Sequence, residues 1–299
     1  MSNKTSISTG YLNAHFSRLE TLDFAKEAGA AAVDFDLAGF DYRRPDSIYA
    51  KSPEEFTEFF KSVKQRADKN GIVICQTHGR RDPFFEKDDE YNNTVFQKNA
   101  ELDLKASKIL GAPFCVFHPG GTLSNMSATP EEMRANAVHA FKSILPFAKQ
   151  TGVIIALETV GANHCLDDAI DFFGDYNEYR RLFDTIKSET EYSDYFACCI
   201  DTGHINLAVK HNQPTPADFI RKMGKNVVCL HLHDNNGYID QHRTPGVVSI
   251  DFKDVFAALR EIEYNGYYNA EVLHDFIGKD LLLDTARFTV RVLQFFINN

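Results

Sequence analysis

Tryptophan is absent, and so is any Cys-x-x-Cys pair. The six cysteines, Cys75, Cys115, Cys165, Cys198, Cys199 and Cys229, have neither the compact spacing of a zinc ribbon nor that of a disulfide framework. Five of them fall in apolar, strand-like runs, so they are expected to be small buried hydrophobes kept reduced, not ligands or bridges. No apolar stretch approaches the roughly 18 residues needed to cross a bilayer, which argues against a helical membrane span. The opening MSNKTSISTG has no apolar h-region, and a cytoplasmic location is the expectation. Basic tracts are missing as well: 32 Lys and Arg against 42 Asp and Glu give a formal charge of -10, with no obvious supply of phosphate contacts for nucleic acid. Low-complexity segments are also missing.

What is present is an ordinary globular balance, 43% hydrophobic and 25% charged residues over 299 positions, enough for a large buried core. Short β-rich runs alternate with longer amphipathic runs along the whole chain. Strands are predicted at Ile7 to Leu12, Ala32 to Leu37, Ile72 to Thr77, Phe114 to His118, Val153 to Glu158, Ala197 to Asp201, Val227 to His231 and Tyr268 to Val272. Between them, apolar residues recur at threes and fours, as in Met133, Ala137, Ala140, Phe141, Ile144, Leu145 and Ala148; Ser17 to Ala28 and Val95 to Leu110 read likewise. Ser52-Pro53-Glu54-Glu55 and Thr129-Pro130-Glu131-Glu132 place a cap, a first-turn proline and acidic residues at helix starts. Gly29, Gly71, Gly111 and Gly152 each stand where a helix must stop in a left-handed conformation. Eight strand and helix units with no break in composition predict one domain over 1–299, an α/β fold of the (β/α)8 TIM barrel type with its active site at the C-terminal mouth. A doubly wound open sheet is the alternative, but Thr9-Gly10-Tyr11-Leu12-Asn13 is not the glycine-rich phosphate turn it would carry.

In such a barrel the strand ends that lead into the following loops carry the chemistry. Here they read Gln76-Thr77-His78-Gly79, Phe117-His118-Pro119-Gly120-Gly121, Ala156-Leu157-Glu158-Thr159, Cys199-Ile200-Asp201-Thr202-Gly203-His204, Leu230-His231-Leu232-His233-Asp234-Asn235 and Asn269-Ala270-Glu271-Val272, with Asp240-Gln241-His242 on a loop. One such side chain is commonly a cap or a satisfied polar group. Six successive strands each delivering an imidazole or carboxylate to one rim point to a divalent metal, and the mixed donor set to Zn, Mn, Fe or Co.

FHPGG at 117–121, ALET at 156–159, CIDTGHIN at 199–206, HLHDN at 231–235 and Glu271 after YNGYYNA, taken in order, resemble the xylose isomerase-like barrel superfamily. That group holds sugar isomerases and epimerases together with endonuclease IV-type abasic-site enzymes, and the resemblance runs over nearly the whole chain. It implies one divalent ion on Glu158, Asp201, His231 and Glu271 in the sugar enzymes. The endonuclease type implies up to three ions, with His78, His118, His204, Asp240 and His242 as further ligands. His231 is preferred over His233 because the family writes this strand end as His, two residues, then an acid.

Two chemistries follow. In a sugar or sugar-phosphate isomerase or epimerase, Glu158 and Glu271 would move a proton beside a carbonyl through an enediolate, and His204 would steady a substrate oxygen. In an endonuclease-type hydrolase, with nucleic acid as the partner, several zinc ions would activate a water. Arg43, Arg80, Arg81 and Arg243, with Arg44 beside them, are the candidates to hold substrate at the rim. Arg81 stands where the endonuclease type carries an aromatic residue. His164 and Gly237 stand where ketose 3-epimerases carry a Glu and an Arg, and Gly246-Val247-Val248 keeps only the first glycine of a family pair. The expectation is therefore a metal-dependent isomerase or epimerase of a small sugar, with the hydrolase as alternative and a non-catalytic metal-binding barrel as a third reading. A homo-oligomer is compatible with all three.

Overall fold

The structure, a computed structural model, describes residues 3–81, 91–120, 129–163, 169–189 and 191–299. Gly121, His164 and Cys165 lie outside the described residues. The eight barrel strands are Thr5–Ser8, Ala32–Asp36, Val73–His78, Phe114–Phe117, Ile154–Glu158, Phe196–Asp201, Val227–His231 and Tyr268–Ala270. All neighbours are parallel and follow chain order, with the eighth strand beside the first. The seventh and eighth meet where Leu232 N donates to Asn269 O at 2.8 Å and Glu271 N to Leu232 O at 3.2 Å, which closes the (β/α)8 barrel.

Helices α1 (Glu20–Ala28), α2 (Pro53–Asn70), α3 (Gln97–Leu110), α4 (Pro130–Thr151), α5 (Tyr176–Lys187), α6 (Thr202–Val209), α7 (Pro216–Met223), α8 (Phe252–Glu261) and α9 (Leu282–Asn298) are the long outer elements. Local chemistry sets their ends. Ser52 and Thr129 each form a reciprocal capping box with the glutamate three residues on, ahead of a first-turn proline. Gly29, Gly71, Gly111 and Gly152 terminate α1 to α4 at positive φ. Among the described residues, no helix is long and apolar enough to cross a membrane.

Most strands shift by one residue at an end from the sequence expectation, and the first and eighth shift further. The first strand occupies Thr5–Ser8 instead of Ile7 to Leu12, because pairing with both neighbours fixes its register and the chain then coils into a 3-10 turn at Tyr11–Ala14. The eighth strand stops at Ala270, one residue before Glu271, where the chain turns into the mouth. The five described cysteines are free and buried, as their apolar settings implied.

Side chains alternate between the barrel interior and the helix layer with period two. Val116, Ala156, Cys199 and Cys229 form a small interior cluster apart from the main core. Two residues further along the same four strands stand His118, Glu158, Asp201 and His231. Small apolar residues thus make the floor on which the polar layer rests.

Candidate functional site

The polar layer at the C-terminal mouth is deeply buried: Glu158, Asp201, His231 and His233 have no exposed surface, and His78 and Glu271 have 2% and 5%. The Nδ1 atom of His231 stands 2.8 Å from Glu158 Oε1, 3.4 Å from Glu271 Oε2 and 3.9 Å from Asp201 Oδ2. These four residues each offer one ligand atom, all within 4.8 Å of one another. Behind the ring, His231 Nε2 donates to Asp34 Oδ2 at 3.1 Å, so Asp34 orients the imidazole as outer carboxylates do in metal sites.

A second set adjoins the first. His78 Nε2 and His118 Nε2 stand 3.3 and 3.1 Å from the buried Glu158 Oε2. On the other side, His204 Nε2 and His242 Nε2 stand 3.5 and 2.9 Å from Asp240 Oδ2. In three of these rings the opposite nitrogen faces a backbone carbonyl: His78 Nδ1 at 3.2 Å from Gly79 O, His204 Nδ1 at 3.1 Å from Thr159 O, and His242 Nδ1 at 2.9 Å from Glu271 O. A ring held by a carbonyl on one nitrogen and aimed at a carboxylate with the other is the usual preparation of a histidine ligand. The crowding of imidazole nitrogens around Glu158 Oε2 and the mixed imidazole and carboxylate donors both fit a divalent ion of the zinc, manganese, iron or cobalt class.

Electrostatics agree with that fit. Burial pushes His231 and His204 down, but the carboxylates around them, Glu158 and Glu271 for the first and Asp201 and Asp240 for the second, hold both well above the ordinary imidazole range. Burial would raise Glu271, yet His231 and His242 hold it down at about 2. Without an ion, the carboxylate charge is balanced by protons on histidine, which a metal would displace.

All nine side chains expected at the rim therefore converge on adjacent groups at one mouth. The four arginines are placed differently from one another. Arg80 is 7% exposed and turned inward, with Nε 2.9 Å from Asp103 Oδ2 and two further donations to the carbonyls of Leu37 and Phe40 at 2.6 Å. That places it as a buried structural partner of Asp103, whose other neighbour is the Tyr49 hydroxyl at 2.6 Å. Arg43 pairs with Asp41 at 2.7 Å on the surface, and Arg243 lies over the Phe276 ring at 4.3 Å. Arg81 reaches across the mouth to Asp36 at 3.3 Å, a carboxylate that Arg18 also holds at 2.9 Å, and the charges of Glu271 and Glu158 act on its guanidinium.

Sequence reasoning passed over two residues of this centre. Asp34 precedes Asp36 by one strand repeat, and only the fold shows which ring it meets. His233 was set aside for His231, although period-two alternation puts both on the interior face.

A family model described as a xylose isomerase-like TIM barrel matches residues 22–290. An uncharacterized protein, MJ1311 of Methanocaldococcus jannaschii, is 28% identical over 165 residues, 54% of this chain and 51% of that protein, so the match spans about half of that relative. Among solved structures, a D-tagatose 3-epimerase-like protein superposes with a TM-score of 0.76 at 20% identity, covering 99% of this chain and 97% of that one. An IolI protein with a bound zinc atom superposes with a TM-score of 0.70 at 17% identity, covering 98% and 96%. At such identities the structural likeness establishes the fold.

Proposed function

The chain belongs to the xylose isomerase-like TIM barrel family, and on that premise we propose that it is a divalent-metal-dependent isomerase or epimerase of a sugar or sugar phosphate. The observation that carries this reading is the inner quartet, in which Glu158, at the end of the fifth strand, and Glu271, just past the eighth, flank His231 Nδ1 at 2.8 and 3.4 Å. Bound there, a divalent ion would polarise a carbonyl and the adjacent hydroxyl of a substrate. Glu271 would take the proton from the carbon beside that carbonyl, and Glu158, from another strand, would exchange it on a second face. Burial of both carboxylates excludes water from the reacting carbon. Asp201 and His231 fix the quartet, and Asp34 fixes His231. His204, with its ring nitrogens turned to Thr159 O and Asp240 Oδ2 beside the quartet, stands where it would steady a substrate oxygen while the two glutamates move the proton. The solved relatives that are named as epimerases and the zinc-bearing IolI structure support the same choice.

The hydrolase reading draws on the additional ligand groups beside the quartet. Solvent deuterium exchange separates the two. With a ketose or ketose phosphate panel the wild type should incorporate deuterium at the carbon beside the carbonyl. Glu271→Gln, which keeps an oxygen ligand but loses the base, should slow that exchange by about 10²- to 10⁴-fold. Cleavage of abasic DNA with no exchange into any sugar would overturn the proposal in favour of the hydrolase.

A further inference from the structure

Among the described residues, α9 is the one outer helix that presents large exposed apolar side chains: Phe288 and Phe295 are 51% and 57% exposed, and Leu281, in the 3-10 turn at its start, is 44% exposed. The opposite face of the helix is packed inward through Leu282, Ala286, Val290 and Leu293, so the barrel core makes no use of the other three. Leu281, Phe288 and Phe295 follow one another at a seven-residue spacing. At about 100° per residue they share a stripe about 40° wide, with steps of about 10.5 Å along the axis. Three large apolar groups in line on the outside of a packed domain mark a contact surface.

The stripe is symmetric about Phe288. A second copy turned by a two-fold axis through that residue lays its α9 antiparallel on the first, with Phe288 against the partner's Phe288 and Leu281 against the partner's Phe295 at both ends. Charge selects this direction. Asp284 and Arg291 flank the stripe on the same side, about 40° and 60° round the helix from Phe288, and a two-fold axis across the helices keeps that flank on the same side in both copies. Both residues are exposed; Arg291 has no ion-pair partner among the described residues, and Asp284 meets Arg287 at 3.5 Å. In the antiparallel pair each Arg291 stands within about 1.5 Å, one residue along the axis, of the partner's Asp284. A parallel pair would set Asp284 on the partner's Asp284 and Arg291 on the partner's Arg291, two like-charge contacts.

We propose that α9 is the isologous interface of a homodimer, in which a second copy of this chain covers Leu281, Phe288 and Phe295. Phenylalanine is among the residues that interfaces concentrate, and pairing the stripes removes from water the apolar surface that the single chain leaves out. An anionic membrane fits less well, because a helix that lies on one is rich in Lys and Arg on its polar face, whereas here an acid and a base alternate along one flank. The assignment rests on α9 and not on the isomerase reading.

Sedimentation velocity across the micromolar range tests it. The wild type should sediment as a dimer, and Phe288→Asp as a monomer with an unchanged far-ultraviolet spectrum, because Phe288 lies outside the core. Arg291→Asp, which opposes two acids at each end of the pair, should weaken dimerisation about tenfold, and Asp284→Arg added to it should restore the wild-type affinity. A monomeric wild type overturns the proposal, and binding of that monomer to phosphatidylserine vesicles would give the stripe to a membrane instead. A dimer that Phe288→Asp leaves intact, or a double variant no tighter than Arg291→Asp, overturns it as well. Should Phe288→Asp fail to fold, the charge reversal decides by itself.

Discussion

Replacing Asp34 by asparagine removes one negative charge behind His231 and little else. Asp34 is 1% exposed; its Oδ2 receives His231 Nε2 at 3.1 Å and the Ser8 hydroxyl at 3.0 Å, while its Oδ1 has no partner among the described residues. An asparagine can present its oxygen at the Oδ2 position and put its NH2 at the orphaned one, so shape and both hydrogen bonds survive. What is lost is the ionic character that makes His231 Nδ1 a stronger donor. Outer carboxylates of this kind typically contribute 10- to 100-fold in metal affinity, which corresponds to about 1.4 to 2.7 kcal/mol. Competition between the protein and a chromophoric chelator for zinc, run at fixed pH, should show a loss of that size at the inner site for Asp34→Asn, with an unfolding midpoint close to that of wild type. Asp34→Ala should lose more, because the ring is then free to turn. Equal zinc affinity in a well-folded Asp34→Asn variant would refute the claim that Asp34 tunes the ligand.

Three further outcomes test other parts of the structure. His274 is 2% exposed with neither ring nitrogen paired among the described residues, and burial lowers it to about 4; the unfolded chain then binds more protons than the folded one between about 6.5 and 4, so stability falls as pH drops through that window. Urea unfolding at pH 7.5 and 5 should show a decrease of about 2 kcal/mol from this group, which His274→Phe should abolish; an unchanged pH slope in the variant would count against it. Arg80→Ala should destabilise by about 3 to 5 kcal/mol by stranding the buried Asp103 carboxylate, and a change in substrate KM without loss of stability would show instead that Arg80 holds substrate. Thr129→Ala should cost about 1 kcal/mol through loss of the α4 capping box, measured by thermal unfolding.

The barrel was legible because its determinants are local. Caps such as Ser52 and Thr129, stop glycines such as Gly71 and Gly152, and the alternation of Val116 with His118 or Cys199 with Asp201 are properties of a few adjacent residues. Each therefore carries its meaning without knowledge of the rest of the chain. The rim positions of Glu158, Asp201, His231 and Glu271 followed from the same logic, since a strand end in this architecture opens into the mouth. Boundaries were less secure where the partner strand decides, as in the shift of the first strand to Thr5–Ser8.

Pairings between distant strands belong to the tertiary structure alone. Asp34 meets His231 across 197 residues of chain, and nothing in either neighbourhood announces the contact. Arg80 and Arg81 are indistinguishable as neighbouring basic residues in a sequence, yet one closes on Asp103 in the helix layer while the other reaches across the mouth to Asp36. His231 and His233 share an interior face by period, but only barrel closure brings the first to Glu158 and Glu271 and the second to Asp201 and Asp240. The sequence alone determined which side chains point inward, because that depends on strand period. Which atoms then face one another depends on the stagger and closure of eight strands, and long-range packing alone sets that.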